Sequence, residues 1–257
     1  MFERRYVVET GRRNAVQVVM AGCGGTGSFL ALHLARMAHH ARDRGVDVRL
    51  TFVDPDRVEV KNLGRQNFCG AEVGRNKAEC LMERYNLAFG LQIEAHGEPF
   101  CKAHFPDWTD RRERLVAICG CVDNAEARRQ IQAYVSTANG GLWWIDGGNH
   151  DHSGQVLIGN RTDITAPEIV PLGVCAGLPA PGIQHPELLA DAPRAVGAPS
   201  CADLTLADVQ GLMVNQAVAG WMATYVYRLA LAHDLDVYQT YFDLAAGSAR
   251  STPIVEE

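Results

Sequence analysis

The stretch Val16–Ser28, VQVVMAGCGGTGS, constrains this chain more than any other. An apolar run leads straight into glycines, which is how a buried parallel strand reads when it ends in a tight turn. Gly22, Gly24 and Gly27 fit G-x-G-x-x-G, with Gly25 and Thr26 inside the pattern. Phe29, Leu30, Leu32, Leu34 and Met37 then predict a helix that begins near Ser28. Glycine lets the backbone turn sharply and approach a phosphate, and the free amides and positive end of the new helix favour the anion. Alone, the pattern fits a nicotinamide dehydrogenase as well as any other nucleotide-binding protein, or a turn that only packs a helix on a sheet.

With 257 residues the chain has room for one large α/β domain or one with a modest appendage. A net charge of −6, with both signs mixed along the chain, argues against nucleic-acid binding through a basic surface. No apolar run reaches the length of a membrane span, and the start MFERRYVVETGRR lacks the apolar core of a secretory signal, so a cytoplasmic protein is expected. The eight cysteines are scattered and none form C-x-x-C. That pattern suits buried reduced thiols better than a disulfide framework, and no zinc is expected.

Residues 1–15 carry Arg4, Arg5, Arg12 and Arg13 and read as a solvated arm. Val48, Leu50, Phe52 and Val53 predict a second strand, ending in Asp54-Pro55-Asp56. In a dinucleotide-type fold a carboxylate at that tip faces the ribose hydroxyls; Asp54 fits this role, or that of a turn carboxylate ahead of Pro55. The polar loop after it, Glu59 to Asn67, and the helix opened by Gly74 to Lys77 bring an arginine and a lysine close to the glycine end of the sheet. Two such cations would offset the charge of a triphosphate as a phosphorus centre is attacked.

A strand-like LQIEAH follows, and then the buried run Arg114–Val122, which ends in Asp123-Asn124 ahead of a helix from Ala125 to about Ala138. Asp123 fits a helix N-cap and a magnesium ligand equally well. A further strand ends in Gly147-Gly148-Asn149, and His150-Asp151-His152 reads as a solvated turn before GQVLIG. Residues 160–204 form a long segment without a sustained period, the mark of a lid, crossover or binding loop. Residues 205–233 read as a helical run, and 238–257 as a hairpin around Gly247-Ser248.

Taken together, GCGGTGS, VDPDRVE, the N-x-x-R-Q of Asn62, Arg65 and Gln66, the G-x-x-K of Gly74 and Lys77, and CVDN at Cys121–Asn124 resemble the ThiF/MoeB/HesA family, bacterial relatives of ubiquitin-activating enzymes. The second half, with GNHDHSGQVLIG, the PSC at Pro199–Cys201, LMVNQAVAG and YFDLAAGSARSTP, is most similar to the ThiF-like members of the PRTRC plasmid cassette. The resemblance implies a single adenylation domain over 1–257, with a Rossmann-like, doubly wound, mostly parallel sheet continued by antiparallel strands and a long crossover loop. It further implies that ATP adenylates the C-terminal glycine carboxylate of a small ubiquitin-like β-grasp protein, and that the enzyme is a homodimer.

By the same resemblance Gly22, Gly24, Gly25, Thr26 and Gly27 cradle the nucleotide, with Val122 beside it and Asp54 and Asp56 at the ribose end. Asn62, Arg65 and Gln66 face the phosphates, Lys77 draws on the β and γ groups, and Asp123 carries Mg2+. Cys201 matches the cysteine that captures the activated carboxylate in some members, and lies ahead of a helix start, where the dipole lowers a thiol's pKa. Cys175 is the weaker candidate. The paired C-x-x-C motifs that hold zinc in many relatives are absent. A nicotinamide-dependent oxidoreductase and a non-catalytic ATP-binding scaffold are the competing readings. The first leaves Asn62, Arg65, Lys77 and Asp123 without a common task.

Overall fold

The apolar run ahead of the glycines folds as strand β1 (Ala15–Ala21), and its alternate residues enter different cores. Val18 and Met20 face one cluster, Val19 and Ala21 the other. A strand buried on both faces is apolar on both, apart from Gln17, whose amide donates to Thr51 Oγ1 at 3.1 Å, and so no alternation is visible in the sequence. The computed structural model describes residues 5–10, 14–101, 104, 114–138, 140–171, 173–191 and 213–256.

The other strands, in chain order, are β2 (Asp47–Val53), β3 (Glu94–His96), β4 (Leu115–Gly120), β5 (Leu142–Asn149) and β6 (Ser153–Gly159). They are followed by β7 (Glu168–Val170), β8 (Val174–Gly177), β9 (Val237–Asp243) and β10 (Ser248–Pro253). Eight of them form one sheet in the order β10-β9-β6-β5-β4-β1-β2-β3, and β7 pairs with β8 apart from it. From β3 to β5 all pairings are parallel, and from β5 to β10 all are antiparallel. This is the α/β class and the mostly parallel sheet with antiparallel continuation that the motifs imply.

Helices α1 (Gly25–Arg42) and α2 (Lys77–Phe89) cover one face, and α3 (Ala125–Ala138) and the short α4 (Pro181–Gln184) cover the other. A fifth helix, α5 (Val214–Tyr227), packs beside α1 and continues as a π turn over Arg228–Ala232. Local chemistry sets the helix ends. The Asn76 side chain accepts the Glu79 N–H to start α2, and left-handed Gly90 stops it. The Asn124 side chain accepts the Ala127 N–H and thereby starts α3. The cap is thus Asn124, not Asp123.

Four expectations change. Helix α1 begins at Gly25, because Ser28 N–H already donates to Gly24 O and the fingerprint itself makes the first turn. The described part of the basic arm is solvated on one side only, with Arg5, Val7 and Glu9 exposed. Tyr6 and Val8 are buried, with Tyr6 N–H donating to Ile254 O and Val8 N–H to Leu235 O. The segment expected to lack regular structure after residue 160 contains β7, β8 and α4, and the hairpin turns at 244–247, two residues ahead of the expected point. Of the helical run, residues 205–212 lie outside the described residues, and the described helix begins at Val214.

Candidate functional site

At the carboxyl ends of β1, β2, β4 and β5, the following loops open on a cavity of about 980 Å³. This is the edge of an open parallel sheet at which strand order reverses, where ligands of such folds bind. Gly22, Gly24, Gly25 and Thr26 line it. Gly27 does not: it packs beneath the loop, where a Cβ would collide with the Gly22 carbonyl. Gly22 itself sits at φ +92°, and a Cβ there would collide with the carbonyl of Cys121. Only glycine serves at these two positions.

Asp54 is buried and holds the loop in shape. Its Oδ2 accepts from Cys23 N–H at 2.5 Å and its Oδ1 from Asp56 N–H at 2.8 Å. Burial pushes its carboxyl above the ordinary carboxylate range, against the pull of those amides and of nearby Lys77. Lys77, with a side chain only 7% exposed, places Nζ 2.9 Å from Asp56 Oδ2. Asn62 lines the cavity while its side-chain oxygen accepts from Glu59 N–H at 2.9 Å, fixing the polar loop. The loop is tied to α1 by Asn67 N–H, which donates to Ser28 Oγ at 3.0 Å.

The next two residues differ. Arg65 Nε and Gln66 Oε1 are buried and have no hydrogen-bond partner among the described residues. A native fold leaves few such groups, and both residues that carry them line the cavity. Across the opening, Val122 and Asp123 line the wall. The Asp123 carboxylate is exposed, and no hydrogen bond or ion pair holds it among the described residues. An unpaired carboxylate at this place fits a hard divalent cation, which takes one or two protein oxygens and fills the rest of its shell with water and phosphate.

Residues to which the sequence reading gave no role complete the site. Arg128, on α3, faces the cavity, and its Nε donates to both oxygens of fully buried Asp146 at 3.2 and 3.1 Å. Its two terminal amino groups make no hydrogen bond among the described residues. Burial pushes the Asp146 carboxyl upward, while Arg128 pulls it back. Asn215, from α5, accepts from Asn149 Nδ2 at 2.5 Å and from Thr26 Oγ1 at 3.4 Å, joining the glycine loop to the end of β5. Beyond it the cavity continues over Gly147, Gly148 and Gly154 toward Gln155 and Tyr241.

Among the thiols, Cys23 and Cys121 beside the loop are raised by burial. Cys175 is pushed up to about 11 by burial, and its Sγ donates to Gly177 O at 3.2 Å, so it is a packed thiol and no nucleophile. Cys201 lies outside the described residues, as do Arg4, Arg12 and Arg13. Arg5 is described and pairs with Asp236 at 3.6 Å.

Fold and cavity together define a doubly wound α/β protein with charged side chains gathered around a glycine loop. The chain belongs to the ThiF family, whose family model matches residues 9–256. Among solved structures, PaaA is similar with a TM-score of 0.58 at 17% identity, over 96% of this chain and 66% of that one. MccB of E. coli solved with ATP gives 0.56 at 18% identity, over 94% of this chain and 64% of that one. MccB with MccA-N7isoASN gives 0.57 at 16% identity, over 94% and 65%. At these identities the likeness is one of fold, and the chain spans roughly two thirds of the length of those proteins. No curated protein matches the sequence. Among the described residues no helix is long and apolar enough to cross a membrane.

Proposed function

We propose that this protein is an adenylating enzyme, a single domain that uses ATP to activate the C-terminal glycine carboxylate of a small ubiquitin-like β-grasp protein. One observation carries the reading: Arg65, Lys77 and Asp123, drawn from three separate segments, line one cavity with the glycine loop. Arg65 and Gln66 support it, since both line the cavity and a guanidinium and an amide suit phosphate and hydroxyl oxygens. Family membership supports it further, as does the solution of the fold-related MccB with ATP and with MccA.

In this reading the amides at the start of α1 receive phosphate oxygens, and Asp54 keeps that loop in shape while its remaining lone pairs face the ribose. The substrate carboxylate, ionised at neutral pH, needs no general base. Its oxygen forms a bond to the α-phosphorus as the α–β bridging bond breaks, and pyrophosphate leaves with the electron pair. No proton moves. The chain's contribution is placement and charge: Arg65 and Lys77 offset the charge that grows on the leaving group. Lys77 meets its ligand by sharing or leaving Asp56. Asp123 would hold Mg2+, which neutralises phosphate oxygens when bound. The cavity's glycine-floored extension gives a narrow chain terminus a path to the phosphates. Capture of the activated carboxylate on Cys201 and assembly as a homodimer are further parts of the proposal.

ATP–pyrophosphate exchange with a small ubiquitin-like protein tests it. Lys77→Ala and Asp123→Ala are expected to reduce exchange by about 10²- to 10³-fold. Cys201→Ala is expected to leave exchange intact and abolish any covalent product. Undiminished exchange in the first two variants overturns the assignment. A melting temperature raised by NADH and not by ATP would favour the oxidoreductase instead.

A further inference from the structure

We propose a second ligand site on this protein: a zinc-type metal centre formed by His96, Glu98 and His104, with Cys101 as its fourth donor. The three residues each offer one ligand atom, and these atoms lie within 4.8 Å of one another. They sit on a single short segment, H-x-E-x2-C-x2-H, that leaves the end of β3. The segment lacks the C-x-x-C pairs by which zinc sites are usually recognised in a sequence.

The geometry already approaches coordination. His104 Nε2 stands 3.0 Å from Glu98 Oε1, and the His96 and His104 rings lie with centroids 4.6 Å apart. Cys101 Sγ is 4.0 Å from the same Nε2. The side chain of His104 is 1% exposed, whereas Glu98 is 64% exposed, so the group has a buried floor and an open mouth. The ring nitrogens of His96 have no hydrogen-bond partner among the described residues. Two imidazoles, a carboxylate and a thiol suit Zn2+ or its spectroscopic substitute Co2+, and not Mg2+ or Ca2+, which take oxygen donors. This centre is therefore chemically distinct from the position at Asp123.

The hydrogen bonds at His104 show what metal loading changes. Cys101 N–H donates to His104 Nδ1 at 3.0 Å, so the ring proton resides on Nε2 and is shared with Glu98. A metal at Nε2 requires that proton to move to Nδ1, which gives up the amide bond from Cys101. Release of that bond frees the Cys101 amide and lets Sγ swing toward the ion. The thiol then yields its proton to solvent as the metal–sulfur bond forms: one proton out for one metal in. The segment between the ligands carries Pro99 and Phe100 on the wall of the large cavity, and the backbone C=O of His96 accepts from Asp54 N–H at 3.1 Å. A bound ion thus braces the cavity wall beside Asp54.

Co2+ titration of the full chain, stripped with a chelator, tests the site without reference to nucleotide. One Co2+ per chain is expected to bind, with visible bands of a four-coordinate ion and a near-ultraviolet thiolate charge-transfer band. Zn2+ is expected to displace it and to raise the melting temperature. Glu98→Gln, which keeps an acceptor for His104, and His96→Asn at a half-buried position are each expected to weaken binding by about tenfold or more, the loss that even an outer partner of a metal ligand produces. These two positions are preferred to His104, whose buried side chain cannot be removed without disturbing the fold. Cys101→Ser is expected to remove the charge-transfer band; a band that persists overturns Cys101 as a ligand. No binding by the unaltered chain, or equal binding by the His96→Asn/Glu98→Gln double variant, overturns the centre.

Discussion

The parallel and antiparallel halves of the sheet treat their charged side chains in opposite ways. In the antiparallel half two arginines are each held by a pair of acids. Arg161 is gripped by Asp163 and Glu168 at 2.7 and 2.8 Å, and Arg228 by Asp234 and Asp236 at 3.0 and 2.7 Å. At the mouth of the parallel half Arg65 keeps a buried Nε without a partner, Arg128 is fastened by Nε alone, and Asp123 has no partner among the described residues. Charges that serve the fold are satisfied within it. Those left partly unsatisfied beside a cavity are available to something that enters.

The contrast can be broken most forcefully at Asp146. Removing it as Asp146→Ala leaves the Arg128 guanidinium without its buried partner, and is expected to cost about 3–5 kcal/mol in denaturant unfolding. Next comes Asp123→Ala. Exchange activity should drop by about 10²- to 10³-fold while the melting temperature stays within a degree or two of the unaltered protein, because nothing in the described fold leans on that carboxylate. A large loss of stability there would erase the distinction between the two halves.

A smaller, pH-dependent effect is expected at Glu72. Burial opposes its ionisation, but two bonds from Arg84 at 2.5 and 2.6 Å and one from Cys69 N–H carry its pKa below the ordinary value. A depressed carboxylate contributes stability above its unfolded pKa and loses it as pH falls through the folded one. Glu72→Gln should therefore lower stability by about 1–2 kcal/mol at neutral pH, with the difference closing in acid. Arg161→Ala should have the smallest effect, within about 1 kcal/mol and with no change in exchange, because both of its acids face solvent.

The sequence announces what is local. Strand β1, the glycine turn and α3 are each written in contiguous residues, so Ala125–Ala138 is found with its ends in place. Arg65 and Lys77 are also legible, since a polar loop too long for a simple connection stands between β2 and α2. The Arg128–Asp146 pair is a different matter. Eighteen residues separate the two, and only the packing of α3 against β5 brings them together. Singly, one resembles a surface arginine and the other a turn acid. The basic arm misleads for a related reason: its arginines suggest solvent, while Tyr6 and Val8 between them supply the buried contacts. The crossover segment hides β7 and β8 because three- and four-residue strands are too short to show a period.

The two margins of the large sheet carry a consequence for assembly. At one margin β3 has only three residues. At the other, β10 presents exposed Arg250, ends in Pro253 and is held just beyond it by Tyr6 N–H on Ile254 O. Short length, a cation and a proline are the means by which proteins keep strand margins from recruiting a neighbour. Lengthening of the sheet by a second copy of this chain is thereby disfavoured, which leaves the helical and loop surfaces for any such contact.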